Sequence, residues 1–67
     1  MILGIDLGGS KSVAILRDGE RRVRAEGGPA NPSALPIDDV RDVLQAMLRE
    51  LASEGQPDAV VLGAAGV

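Results

Sequence analysis

The feature that most constrains this chain is a spacing. The run ILGIDL (residues 2–7) passes through GGSK (8–11) directly into SVAILR (12–17). Both flanking runs are aliphatic, and the second is rich in strand-favouring residues. A four-residue link with adjacent glycines makes the two runs an antiparallel hairpin. The first run is short, apolar and ended by Gly8-Gly9, so it reads as a strand buried on both faces. Asp6 is then an anomaly, a charge inside a strand that is otherwise fit for burial.

The remaining pattern builds outward from that hairpin. The dipeptide DG (18–19) is a hairpin turn signal, and ERRVRAE (20–26) follows it as a third strand. Its arginine-rich face suits a sheet edge, where charge discourages unwanted pairing. GGPANPSALP (27–36) is a Gly/Pro-rich loop without periodicity. In IDDVRDVLQAMLRELASEG (37–55), Ile37, Val40, Val43, Leu44, Met47, Leu48 and Leu51 form one apolar stripe, which predicts a helix. Asp38 and Asp39 favour its N-terminal end electrostatically, while Gly55 stops it and Pro57 prevents its resumption. AVVLG (59–63) is a last strand, placed by the crossover helix parallel to an earlier one. The expected order is β-β-β-α-β, an α/β fold.

Composition narrows the function classes. The 67 residues contain no Phe, Tyr, Trp, His or Cys, so no ring anchors the core and no disulfide or His/Cys metal site staples it. Small domains that stand alone usually carry one of those devices. One helix covers only one face of a sheet, and the final GAAGV (63–67) is apolar. Together these features suggest the N-terminal part of a larger domain, cut after the fourth strand, weakly folded and catalytically inactive by itself. A net charge of −3 has the wrong sign for nucleic-acid binding. The basic cluster RRVR (21–24) reads as a solvated strand face. The apolar runs are too short to span a bilayer, and no basic region precedes the first one, which argues against a secretory leader. The lack of cysteine fits a cytoplasmic protein.

The hairpin residues suggest chemistry. Gly8 and Gly9 let backbone N–H groups approach an anion, Ser10 adds a hydroxyl, and Lys11 adds a positive charge suited to phosphate. Asp6 would repel that anion directly but would hold a hydrated Mg²⁺ bridging to phosphates. A plain Gly-Gly hairpin with Asp6 at a solvated strand end satisfies the same spacing. A Walker A loop does not fit: Gly4 and Gly9 have the glycine spacing, but Ser10 intervenes before Lys11-Ser12 and a strand follows where a helix is required. The G-x-G-x-x-G dinucleotide fingerprint is absent.

LGIDLGGSKS (3–12) followed by VAILRDGERRVRAEGGPANP (13–32) resembles the start of the sugar-kinase, heat-shock and actin-like ATPase superfamily. Within it the chain is most similar to the BadF/BadG/BcrA/BcrD-type ATPases, which include the N-acetylglucosamine and glucosamine kinases. The GGPANP loop favours that family over the ROK sugar kinases. The resemblance implies an incomplete ribonuclease H-like domain that uses ATP and Mg²⁺ with an amino-sugar substrate, and a longer protein compatible with a homodimer. It implies that Asp6 organises the metal and that Gly8, Gly9 and Ser10 contact phosphate, with Ser10 standing where the family usually has Thr. It further implies that Asn31 contacts the sugar and that Gly66 lies near the substrate. Asn31 also reads simply as a turn residue before Pro32. The family's catalytic Asp follows the fourth strand, so no catalytic residue is assigned here. An ATPase activator of an acyl-CoA reductase or dehydratase and an inactive fragment are the alternatives. A ROK-like repressor fits poorly, because a strand begins at Ile2 where such proteins carry a helix-turn-helix.

Overall fold

The computed structural model describes residues 1–64. The elements are β1 (Ile2–Leu7), β2 (Ser12–Asp18), β3 (Arg21–Gly27), α1 (Ile37–Leu51) with a 3-10 turn after it (Ala52–Glu54), and β4 (Ala59–Ala64). They build a small α/β domain with one four-stranded mixed sheet in the order β3-β2-β1-β4. The expected β-β-β-α-β order is observed. β1 and β2 pair antiparallel from Ile2↔Arg17 to Leu7↔Ser12, leaving residues 8–11 as the link. β4 returns through α1 to lie parallel to β1, and β3 is the arginine-bearing edge.

The second turn sits one residue later than the DG signal suggested. Asp18 pairs with Arg21, so the two-residue loop is Gly19-Glu20. Gly19 takes φ +64° at the first loop position, where a type II′ turn requires glycine.

Alternation of side chains divides the sheet into two unlike faces. Leu3, Ile5, Leu7, Ala14, Leu16 and Ala25 are buried with Val40, Met47 and Leu51 of α1. On the opposite face, Ile2 and Asp6 are exposed. The expectation that β1 is buried on both faces therefore fails within the described residues, since the one helix covers one side. Asp6 is a solvent-facing carboxylate.

Gly27 decides where the helix lands. A Cβ there would lie 2.8 Å from Val43 Cγ1 and 3.1 Å from Met47 Cγ, so its absence lets α1 seat closely on the end of β3. α1 consequently packs across β3 and β2. Val60 and Leu62, on the helix side of β4, stay exposed. The apolar stripe of α1 is wider than its contact. Val40, Met47 and Leu51 are buried, but Ile37 is 74% exposed and Leu48 remains partly exposed at 38%. Asp38 and Asp39 occupy the first turn. The helix gives way to the 3-10 turn and ends at Gly55, whose φ of +111° disfavours any side chain. An Arg21–Glu54 ion pair ties that end to the start of β3. Among the described residues, no helix is long and apolar enough to cross a membrane.

Candidate functional site

The site candidates gather at one end of the sheet. Asp6 lies near the C-terminal end of β1, an inner strand, in register with Val13 on β2 and Gly63 on β4. Its side chain belongs to the open face, and it makes no hydrogen bond or ion pair with the described residues. A shallow groove of about 580 Å³ runs along that face. Asp6 lies at one end of it and Arg17 toward the other, over a floor that includes Ile2, Val13, Ile15 and Val61. Arg24 also lines the groove and is paired with Glu26 at 2.6 Å.

The link after β1 is tightly determined at its first residue. A Cβ at Gly8 would fall 2.4 Å from the Lys11 carbonyl oxygen, a contact with backbone that no rotamer change relieves. At Gly9 nothing among the described residues lies within 4 Å of the Cβ position. Gly9, Ser10 and Lys11 are exposed, so the link presents backbone, a hydroxyl and an ammonium group to solvent. This is the donor set expected of an anion-binding turn.

Loop 28–36 is fastened to this turn. The Ala30 N–H donates to the Gly8 carbonyl at 3.0 Å, and Ala30 is completely buried. Asn31 follows, half-buried. Its Oδ1 accepts the Ser33 N–H at 2.9 Å, while its carbonyl accepts the N–H groups of Ala34 at 3.1 Å and Leu35 at 3.0 Å. Asn31 thus organises an Asx turn, and its Nδ2 amide is uncommitted among the described residues. The fold brings Asp6, residues 8–11 and the Asn31 loop to a common end. Gly66, the remaining candidate, lies outside the described residues.

Two residues of this end escaped the sequence reading. Ser12 Oγ is fully buried opposite Leu7 and Gly27 and has no hydrogen-bond partner among the described residues. Nothing in a Ser at a strand start signals that. Gly63 faces Asp6 across the β1–β4 pair, and the glycine interrupting AVVLGA was the available signal.

The donor set decides which metal it suits. Among the described residues no group of three His, Cys, Asp or Glu side chains forms a metal cage. A single carboxylate beside a turn that exposes backbone, a hydroxyl and an ammonium group has the chemistry that would suit Mg²⁺, which keeps most of its waters and takes one or two carboxylates together with substrate phosphates. The perturbed ionisations lie at the other end of the sheet. The Asp58 carboxylate, 2.6 Å from the Met1 amino group, accepts its hydrogen bond and raises its pKa, and the same bond lowers that of Asp58. No protein-family model, characterised protein sequence or solved structure matches the chain.

Proposed function

We propose that this chain supplies the first phosphate-binding hairpin of an ATP-dependent amino-sugar kinase, acting on glucosamine or N-acetylglucosamine, with the fold of an incomplete ribonuclease H-like domain of the BadF/BadG/BcrA/BcrD type. One observation carries the reading: an uncommitted carboxylate, Asp6, sits on the open face just before a turn whose first residue has no room for a side chain. The β-β-β-α-β order supports it.

Each residue then has a physical task. Asp6 would hold hydrated Mg²⁺, and the backbone of Gly8 and Gly9, the Ser10 hydroxyl and the Lys11 ammonium would meet the ATP phosphates. When bound, Mg²⁺ neutralises phosphate charge, the main requirement of phosphoryl transfer together with positioning. The Asn31 amide would donate to a sugar oxygen, since its own oxygen is engaged by Ser33. No residue between 1 and 64 is assigned the removal of the sugar hydroxyl proton.

The engagement of Asn31 in an Asx turn favours a second use of the same hairpin. If loop 28–36 is only scaffold, the ATPase activators of acyl-CoA reductases or dehydratases would share the nucleotide chemistry without a sugar.

Mg-ATP titrated into the ¹⁵N-labelled chain is expected to shift the amides of residues 8–11 first, and Asp6→Asn to remove the magnesium dependence. Unmoved amides at about 10 mM Mg-ATP, well above ordinary substrate affinities, would defeat the proposal. In a protein carrying this hairpin together with a complete kinase domain, Asp6→Ala is expected to abolish amino-sugar phosphorylation while the fold persists. Loss of ATP hydrolysis with no sugar phosphorylated by the parent protein would select the activator reading.

A further inference from the structure

Two strand glycines beside Asp6 lack the usual reasons for being glycine. Gly63 does not have a positive φ, and among the described residues a Cβ there would meet only Asp6 Oδ1 and the Ile5 carbonyl oxygen, each at 3.9 Å, which is ordinary contact. Gly4 is alike: its φ is not positive, and its Cβ position has the Ile15 carbonyl oxygen at 3.9 Å as its nearest neighbour. Both lie inside strands, where glycine weakens the sheet through chain entropy and lost packing. The contrast with Gly8, Gly27 and Gly55 is sharp, since each of those faces an atom closer than 3 Å.

What Gly4 and Gly63 share is their relation to one carboxylate. Gly4 precedes Asp6 by two residues on the same face of β1, and Gly63 is its partner on β4. Side chains at these positions would stand next to the carboxylate and narrow its approach. Mg²⁺ arrives with much of its hydration shell, so a carboxylate that receives it needs open space beside it, and with Val13 standing opposite Asp6 on β2 that space lies toward Gly4 and Gly63.

We propose that Gly63 is a positioning residue that acts by omission: bare backbone at Gly63, aided by Gly4, keeps the Asp6 carboxylate open to a hydrated divalent cation carrying ATP phosphates. This rests on the Mg-ATP reading above and adds a determinant of metal access on β4. The strand stability given up at Gly63 is retained as space beside Asp6.

The test sets stability against metal-dependent binding in the full chain. ATP is titrated into wild type, Gly63→Val and Gly63→Ala with and without Mg²⁺, followed by the amide shifts of residues 8–11. Urea unfolding is measured alongside. Gly63→Val is expected to raise the urea midpoint, because Val suits a strand, and to reduce the magnesium-dependent gain in ATP affinity by about fivefold or more, the scale of one partly lost ligand contact. ATP affinity without Mg²⁺ should stay within about twofold, the same scale allowing that for an untouched phosphate turn. Gly63→Ala should act in the same directions with a smaller loss, and it serves if the valine variant fails to fold. A retained magnesium gain in both variants, with wild type binding Mg-ATP, overturns the role of Gly63 and leaves the hairpin reading intact. A lowered urea midpoint in Gly63→Ala overturns it too, since glycine would then be structurally required. Wild type that binds no Mg-ATP defeats the reading on which the inference rests.

Discussion

Replacing Gly8 and Gly9 in turn by alanine separates backbone necessity from local composition, because adjacent glycines are expected to respond with opposite signs. In Gly8→Ala the new Cβ would lie 2.4 Å from the Lys11 carbonyl oxygen, so the turn itself must deform. Overpacking of this kind costs about 1–3 kcal/mol. Deformation also strains the 3.0 Å bond from the Ala30 N–H to the Gly8 carbonyl, and losing such a bond costs about 1 kcal/mol more. Against this, reduced freedom of the unfolded chain returns about 0.4–1 kcal/mol. The expected net loss is about 1–3.5 kcal/mol, on the scale of single-site effects large enough to unfold a marginal domain. Gly9→Ala meets nothing within 4 Å among the described residues, and the φ of Gly9 is not positive. Only the entropy term remains, so it should stabilise by about 0.4–1 kcal/mol. Urea unfolding at about 10 °C, near the usual stability maximum, measures both against wild type. Equal effects, within about 0.5 kcal/mol, the usual scatter for surface substitutions, would refute the steric assignment of Gly8.

Two further outcomes follow from the buried and charged groups. Ser12→Ala removes a fully buried hydroxyl with no partner among the described residues; by urea unfolding it should be neutral or stabilising by up to about 1 kcal/mol, and a comparable loss would show that the hydroxyl has a partner. The Met1 amino group has its pKa raised above 8.0 and Asp58 has its pKa lowered below 3.8. The stabilisation linked to Met1 is fully present below pH 8 and lost as pH rises through its raised value; that linked to Asp58 is present above its unfolded value and lost as pH falls through its lowered one. Acetylating the Met1 amine should flatten the alkaline limb of a stability–pH profile, and an unchanged limb would count against the pair.

Local features were legible because short-range sterics and periodicity set them. The GGSK spacing placed both strand ends of the first hairpin, and the apolar stripe placed α1 from Ile37. Asp6 and residues 8–11 stood out because charge and adjacent glycines disturb an otherwise apolar pattern. The second turn was displaced because both Asp18-Gly19 and Gly19-Glu20 put glycine in the loop, and only the pairing of Asp18 with Arg21 chooses between them.

What the sequence by itself determined is the succession of elements and the chemical character of the first turn. Tertiary structure alone decided which face of β1 is covered, through the close seating of α1 at Gly27 over β3 and β2. It also tied the Asn31 loop to Gly8, engaged the Asn31 oxygen in a turn, and set Gly63 beside Asp6. The physical reason is range. Turn sterics and helix periodicity act within a few residues, whereas burial, pairing register and access to a carboxylate depend on where distant segments meet.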